Sequence, residues 1–102
     1  MIITEHIHEK LHQSLSPEYL AVSDSSASHY GHDGATPGII SHVAILIVAS
    51  IFEGKSRLER QRLAYAAIDT EIRQIHAITE LKTHTPDEYR KMTLQDNLMK
   101  IL

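Results

Sequence analysis

The sequence predicts a single α+β domain, a three-stranded mixed sheet with its helices packed on one face, and three observations carry that prediction. The run from His42 to Phe52 is apolar and rich in β-branched residues, as a well-buried strand requires. Directly after it, Gly54 supplies a tight turn, and Ser56 with Glu59 three residues later forms the S-x-x-E pattern of a capped helix start. Alternation of apolar and polar residues then resumes at Ile75 to Lys82. A helical crossover between those two strands makes them a parallel pair, normally right-handed.

The other elements follow in chain order. Ile3, Ile7, Leu11 and Leu15 recur every fourth residue while Glu5, Glu9 and Lys10 lie off that row, which describes an amphipathic first helix with acid in its early turns. Pro17 disfavours helix at Ser16, and Tyr19-Leu20-Ala21-Val22 then reads as a modest strand with Leu20 and Val22 on one face. The stretch from Asp24 to Gly38 is rich in Ser and Ala, then in Gly, and is longer than an ordinary hairpin loop. The strand from His42 to Phe52 has Val43, Ile45, Ile47 and Ile51 on one side and Ala44, Leu46 and Val48 on the other, so it is expected to be covered on both faces or largely so. After Ser56, Leu58, Tyr65 and Ile68 continue one apolar side, and Asp69 offers a second N-cap before Thr70-Glu71-Ile72; one bent helix or two short ones are both allowed. In the third strand Ile75, Ala77, Thr79 and Leu81 are expected to share a face opposite His76, Ile78, Glu80 and Lys82. Thr85-Pro86-Asp87-Glu88 combines an N-cap, a proline at the first helical position and an acid at N3, which starts a short final helix. Residues 1–91 thus form the domain, and 92–102 form a weakly amphipathic tail compatible with helix.

Composition narrows the function classes. A chain of 102 residues that is 42% hydrophobic can bury a core without staples. It has no cysteine, so it builds no disulfide, thiolate nucleophile or zinc ribbon by itself. The longest apolar run, Val43 to Ala49, is far shorter than the roughly 20 residues of a membrane span, and the N-terminus lacks a signal-type apolar region; a soluble, cytoplasmic protein is expected. The net charge of -3 argues against a surface wholly devoted to polyanions but leaves room for a local basic patch. No nucleophile-base pairing or phosphate-cradling glycine loop is recognisable, so an enzyme is not expected.

Two groups of residues remain as candidates. Histidine is the residue whose neutral imidazole ligates metals, and His29 and His32 lie in the long loop while His76 stands at the entrance of the third strand. On the residues alone the loop histidines are as readily polar filler, and His76 an ordinary strand-end side chain. His8 and His12 have the spacing of a bis-histidine pair but no implied third ligand, and are read as solvated surface. The second group is Lys55, Arg57, Arg60 and Arg62 at the crossover helix, a candidate nucleic-acid surface. Glu53 and Glu59 offset much of its charge, and Arg62 points away from the face shared by Arg57 and Arg60.

Across Leu11 to Tyr89 the sequence resembles the BolA family. The pieces that carry the resemblance are Leu15-Ser16-Pro17-Glu18, Ser28-His29-Tyr30-Gly31-His32-Asp33-Gly34, Ser41-His42, Val48-Ala49-Ser50, Phe52-Glu53-Gly54-Lys55-Ser56, Arg60-Gln61-Arg62, Ile75-His76-Ala77 and Thr85-Pro86-Asp87-Glu88-Tyr89, in that order and spacing. Gln61, Val43 and Ile40 depart from the histidine, phenylalanine and acid usual there. The resemblance implies a class II KH-like fold, α-β-β-α-α-β plus a short C-terminal helix, in which the Gly54 to His76 region forms a helix-turn-helix-like pair. It also implies a [2Fe-2S] cluster shared with a monothiol, CGFS-type glutaredoxin and its glutathione, with none held by the isolated chain. His76 and His29 are the implied ligands, and His32 is the alternative loop ligand. The implied role is in iron-sulfur cluster assembly, trafficking or iron homeostasis. A DNA-binding regulator acting through the helix pair is the alternative, since family members are described as transcriptional regulators.

Overall fold

The computed structural model describes residues 3–25, 42–75 and 77–101. Helix α1 (Ile3–Leu15) buries Ile7, Leu11 and Leu15, the fourfold row of the sequence, while His8 and His12 stay exposed. It ends where Pro17 forbids another helical residue before it; Ser16 takes a positive φ of 46° and donates its N–H to the His12 carbonyl at 3.1 Å. Strand β1 (Tyr19–Asp24) then pairs antiparallel with β2 (His42–Val48), and β2 pairs in parallel with β3 (Ala77–His84), giving the order β1-β2-β3. Helix α2 (Arg57–Ala67) makes the crossover and α3 (Pro86–Ile101) closes the chain. Leu20 and Val22 of β1, Val43, Ile45 and Ile47 of β2, and Ala64 and Ile68 at and after the end of α2 pack with α1 into one core that also encloses Phe52 and Ile75. Among the described residues, no helix is long and apolar enough to cross a membrane.

Several details differ from the sequence expectation. Strand β2 stops at Val48, and Ser50–Phe52 makes one 3-10 turn in which Phe52 donates to the Ala49 carbonyl at 3.2 Å and Glu53 to that of Ser50 at 3.1 Å. That turn rotates Phe52 wholly into the core and leaves Ile51 41% exposed, so Ile51 is not a core residue. Gly54, at φ 74°, reverses the chain in the left-handed region that glycine occupies without a Cβ penalty. Among the described residues, one face of β2 is better covered than the other: Val43, Ile45 and Ile47 are buried, whereas His42, Ala44 and Leu46 are half-buried on the side opposite α1 and α2. On the open face Tyr89, in the first turn of α3, stacks on Tyr19 at 5.7 Å and closes over the end where Val48 is buried.

Strand β3 does not keep simple alternation. Val43 is in register with Ile78 but Ala44 with Glu80, so Thr79 is an extra, bulged residue. The bulge brings Ile78 and Leu81 against the core together and sends Glu80 and Lys82 outward, overriding the expectation that Thr79 and Leu81 share a face. After α2 the chain forms a single 3-10 turn, Glu71–Gln74, in place of a second α-helix; Thr70 rather than Asp69 precedes it, at φ -74° and ψ -45°, without a side-chain cap. Helix α3 runs unbroken past residue 91, longer than the expected short helix, and beyond Tyr89 its described side chains are exposed.

These placements separate two isoleucines that strand periodicity treats alike. Ile47→Ala is expected to cost about 2 to 5 kcal/mol, as a buried large-to-small change does, and Ile51→Ala less than about 1 kcal/mol. Urea midpoints of the two variants measure the difference.

Candidate functional site

His29, His32 and His76 lie outside the described residues. The residues that bound the two undescribed segments, Ser25 and His42 for 26–41 and Ile75 and Ala77 for 76, meet at one end of the sheet. Antiparallel β1 ends at Asp24 where β2 begins, and Ser25 donates its N–H to the carbonyl of His42 at 3.0 Å. His42 is in register with Ala77, the first residue of parallel β3, and Ile75 just before is held in the core. The bulge adds a clasp there. The Thr79 hydroxyl donates to the Val43 carbonyl at 3.2 Å and lies 2.9 Å from the Ser25 hydroxyl, linking the outer two strands across β2. The anchors of the loop and of residue 76 are therefore neighbours. No group of three or more His, Cys, Asp or Glu side chains able to hold a metal occurs among the described residues, and the chain has no thiol.

The basic group is divided by the fold. Arg60 is only 13% exposed, and its guanidinium is taken up internally: Nη1 and Nη2 donate to Glu88 Oε1 and Oε2 at 2.7 and 3.2 Å, Nε to the Lys55 carbonyl at 3.0 Å and Nη1 to the Thr83 carbonyl at 3.4 Å. Its charge also lies 5.9 Å from the centre of the Phe52 ring. Glu88 in turn accepts from the Thr85 N–H at 2.9 Å while Thr85 Oγ1 accepts from the Glu88 N–H at 3.1 Å, the expected capping box of α3. The matching box of α2 is formed by Ser56 and Glu59, whose carboxyl is lowered in pKa chiefly by the Ser56 backbone N–H. Arg57 and Lys55 instead line a cleft with Lys82 and His84, and Lys55 also borders the neighbouring depression that holds Arg62, Glu59 and Leu63. The sequence reading missed Lys82 and His84. They come from the end of β3, an edge strand whose consecutive residues Leu81 to His84 all border the cleft.

With the fold and these placements established, comparison with known proteins is informative. A family model described as "BolA-like protein" matches residues 11–88. BolA-like protein 1 of Homo sapiens is 35% identical over 91 residues, which are 88% of this chain and 63% of that protein. Protein BOLA2 of Arabidopsis thaliana is 32% identical over 90 residues, 88% of this chain and 86% of that one. The crystal structure of a Bol-like protein from Babesia bovis superposes with a TM-score of 0.73 at 34% identity, covering 91% of this chain and 95% of that one. The chain spans about three fifths of the length of the BolA-like protein 1 relatives it matches.

The Arg60 pair makes stability depend on acid. The Arg60 guanidinium first, and the Thr85 N–H second, hold the Glu88 carboxyl down to about 2 from an ordinary value of 4.5. A depressed carboxylate stabilises the fold fully above its ordinary value, and that contribution disappears as pH falls through about 2. Because Glu88 is half-exposed, the pair is expected to be worth about 1 kcal/mol. Glu88→Gln should thus lower the urea midpoint at pH 7, and the gap from the unsubstituted chain should close between about pH 4.5 and 2.

Proposed function

The chain belongs to the BolA-like protein family, and from that premise we propose that it is a non-enzymatic adaptor sharing a [2Fe-2S] cluster with a monothiol, CGFS-type glutaredoxin, in cluster assembly and trafficking or iron homeostasis. The observation that supports this most is the meeting, at one end of the sheet, of the residues that flank both histidine-bearing segments: Ser25 bonded to His42, and His42 in register with Ala77. Ligands for a single iron must come from chain segments close in space, and the nearness of these bracketing residues supports the reading.

The donor set suits cargo held jointly. A chain without cysteine can offer an iron only imidazole nitrogen, and mixed thiolate and imidazole ligation of a two-iron cluster is the arrangement of Rieske centres. In this reading His76 and His29, with His32 as the alternative in the loop, donate the nitrogen ligands, while the partner glutaredoxin and its glutathione supply sulfur. The task of this chain is then to hold neutral imidazoles in place and to release the cluster when protons or a client compete. The alternative, a DNA-binding regulator, is weaker: Arg60 is committed to Glu88, and Glu59 lies beside Lys55 and Arg62, so the local excess of positive charge is small.

Imidazole ligates only when neutral, so the shared cluster should be acid-labile, with loss becoming evident as pH falls towards or below about 6.5. Purified alone, the chain should be colourless. Mixed with cluster-loaded glutaredoxin, His76→Ala should abolish the mixed-ligand visible circular dichroism, His29→Ala should retain part of it through His32, and His8→Ala and His12→Ala should leave it unchanged. An unchanged spectrum with His76→Ala removes that histidine from the site.

A further inference from the structure

A cleft of about 480 Å³ opens between the start of α2 and the last residues of β3, lined by Lys55, Arg57, Arg60, Lys82, His84 and Glu88 over a floor of Leu81 and Thr83. Glu88 is neutralised within it by the two-pronged bond from Arg60, which leaves three cations facing the same concavity. Among the described residues neither Lys55 nor Arg57 has an ion-pair partner, and Lys82 has only an exposed contact with Glu80 at 3.1 Å, of the kind worth little in water. His84 adds an independent sign of a missing partner: its Nε2 is shielded from solvent and has no hydrogen-bond partner among the described residues.

We propose that this cleft is a binding site for a small organic phosphate, a mono- or diphosphate group held by Lys55, Arg57 and Lys82. The volume is in the range of small-molecule sites, roughly 300 to 1,000 Å³. A planar guanidinium and two ammonium groups converging from two elements match a compact dianion. The rest of the molecule argues for a compact ligand over a nucleic-acid duplex. The chain as a whole carries a charge of -3, so an extended polyanion meets repulsion once it leaves the cleft, whereas a small anion remains within the local positive field. Arg62, the cation that a tracked backbone would also use, lies beyond Lys55 in the neighbouring depression, where Glu59 offsets its charge.

The test is titration of the isotope-labelled full chain with inorganic pyrophosphate, followed by amide NMR shifts. Saturable shifts confined to residues 55–59 and 81–85 are expected. The double variant Arg57→Gln/Lys82→Gln should weaken binding at least tenfold with its spectrum still dispersed, and Arg62→Gln should change it less than twofold. Shifts that never saturate, an equal loss with Arg62→Gln, or a short DNA duplex that binds more tightly than pyrophosphate would each overturn the proposal.

Discussion

Three elements of this fold meet at one guanidinium. Arg60 projects from the first turns of α2, receives the carboxylate that caps α3, bonds the carbonyl near the end of β3, and reaches back to the carbonyl of Lys55 in the turn before its own helix. Each of those partners would otherwise leave a polar group at the margin of the core, beside the fully buried Phe52. The two helix starts thereby become one construction: the capping box at Ser56 aims α2 so that Arg60 arrives at Glu88, and the capping box at Thr85 presents Glu88 to it. The parallel pairing of β2 and β3 needs the crossover through α2, and this corner ties the start of that crossover to the end of β3.

Much of the fold is legible in the sequence where a local pattern and a local cause coincide. The fourfold row of α1, the strand cores at Leu20, Val22, Val43, Ile45 and Ile47, and both capping boxes are of this kind. What escaped was set by the partner element and not by the segment itself. Ile51 reads as strand core until a 3-10 turn exchanges it for Phe52. Ile78 reads as outward until the bulge at Thr79 shifts the phase of β3. The open side of β2 is equally apolar in sequence, but coverage of that face depends on where the helices pack.

The candidate site shows the same division. Arginine and lysine residues around Ser56 are visible as a group, yet the role of each depends on tertiary neighbours: Arg60 is structural, Arg57 and Lys55 line the cleft, and Arg62 lies beyond Lys55 beside Glu59. Lys82 and His84 join the cleft from a strand nearly thirty residues downstream, a proximity that only the crossover creates. For the histidines, the sequence supplied candidates, and the described sheet end supplies the anchors beside them. The absence of cysteine gives both observations their direction, because it makes any iron-sulfur role one of partnership.

The two ends of the sheet are secured by unequal means. At the Arg60 end, a charge-assisted fork and a buried aromatic ring hold β3, α2 and α3 together. At the other end, β1 and β3 are joined across β2 by two neutral hydroxyls, Ser25 and Thr79, at an exposed position where water can take the place of either. The cost of a substitution therefore spreads differently from the Arg60 corner: losing that one guanidinium frees a carboxylate of α3, a carbonyl of β3 and a carbonyl of the turn before α2 together, so a single change there is felt by three elements at once.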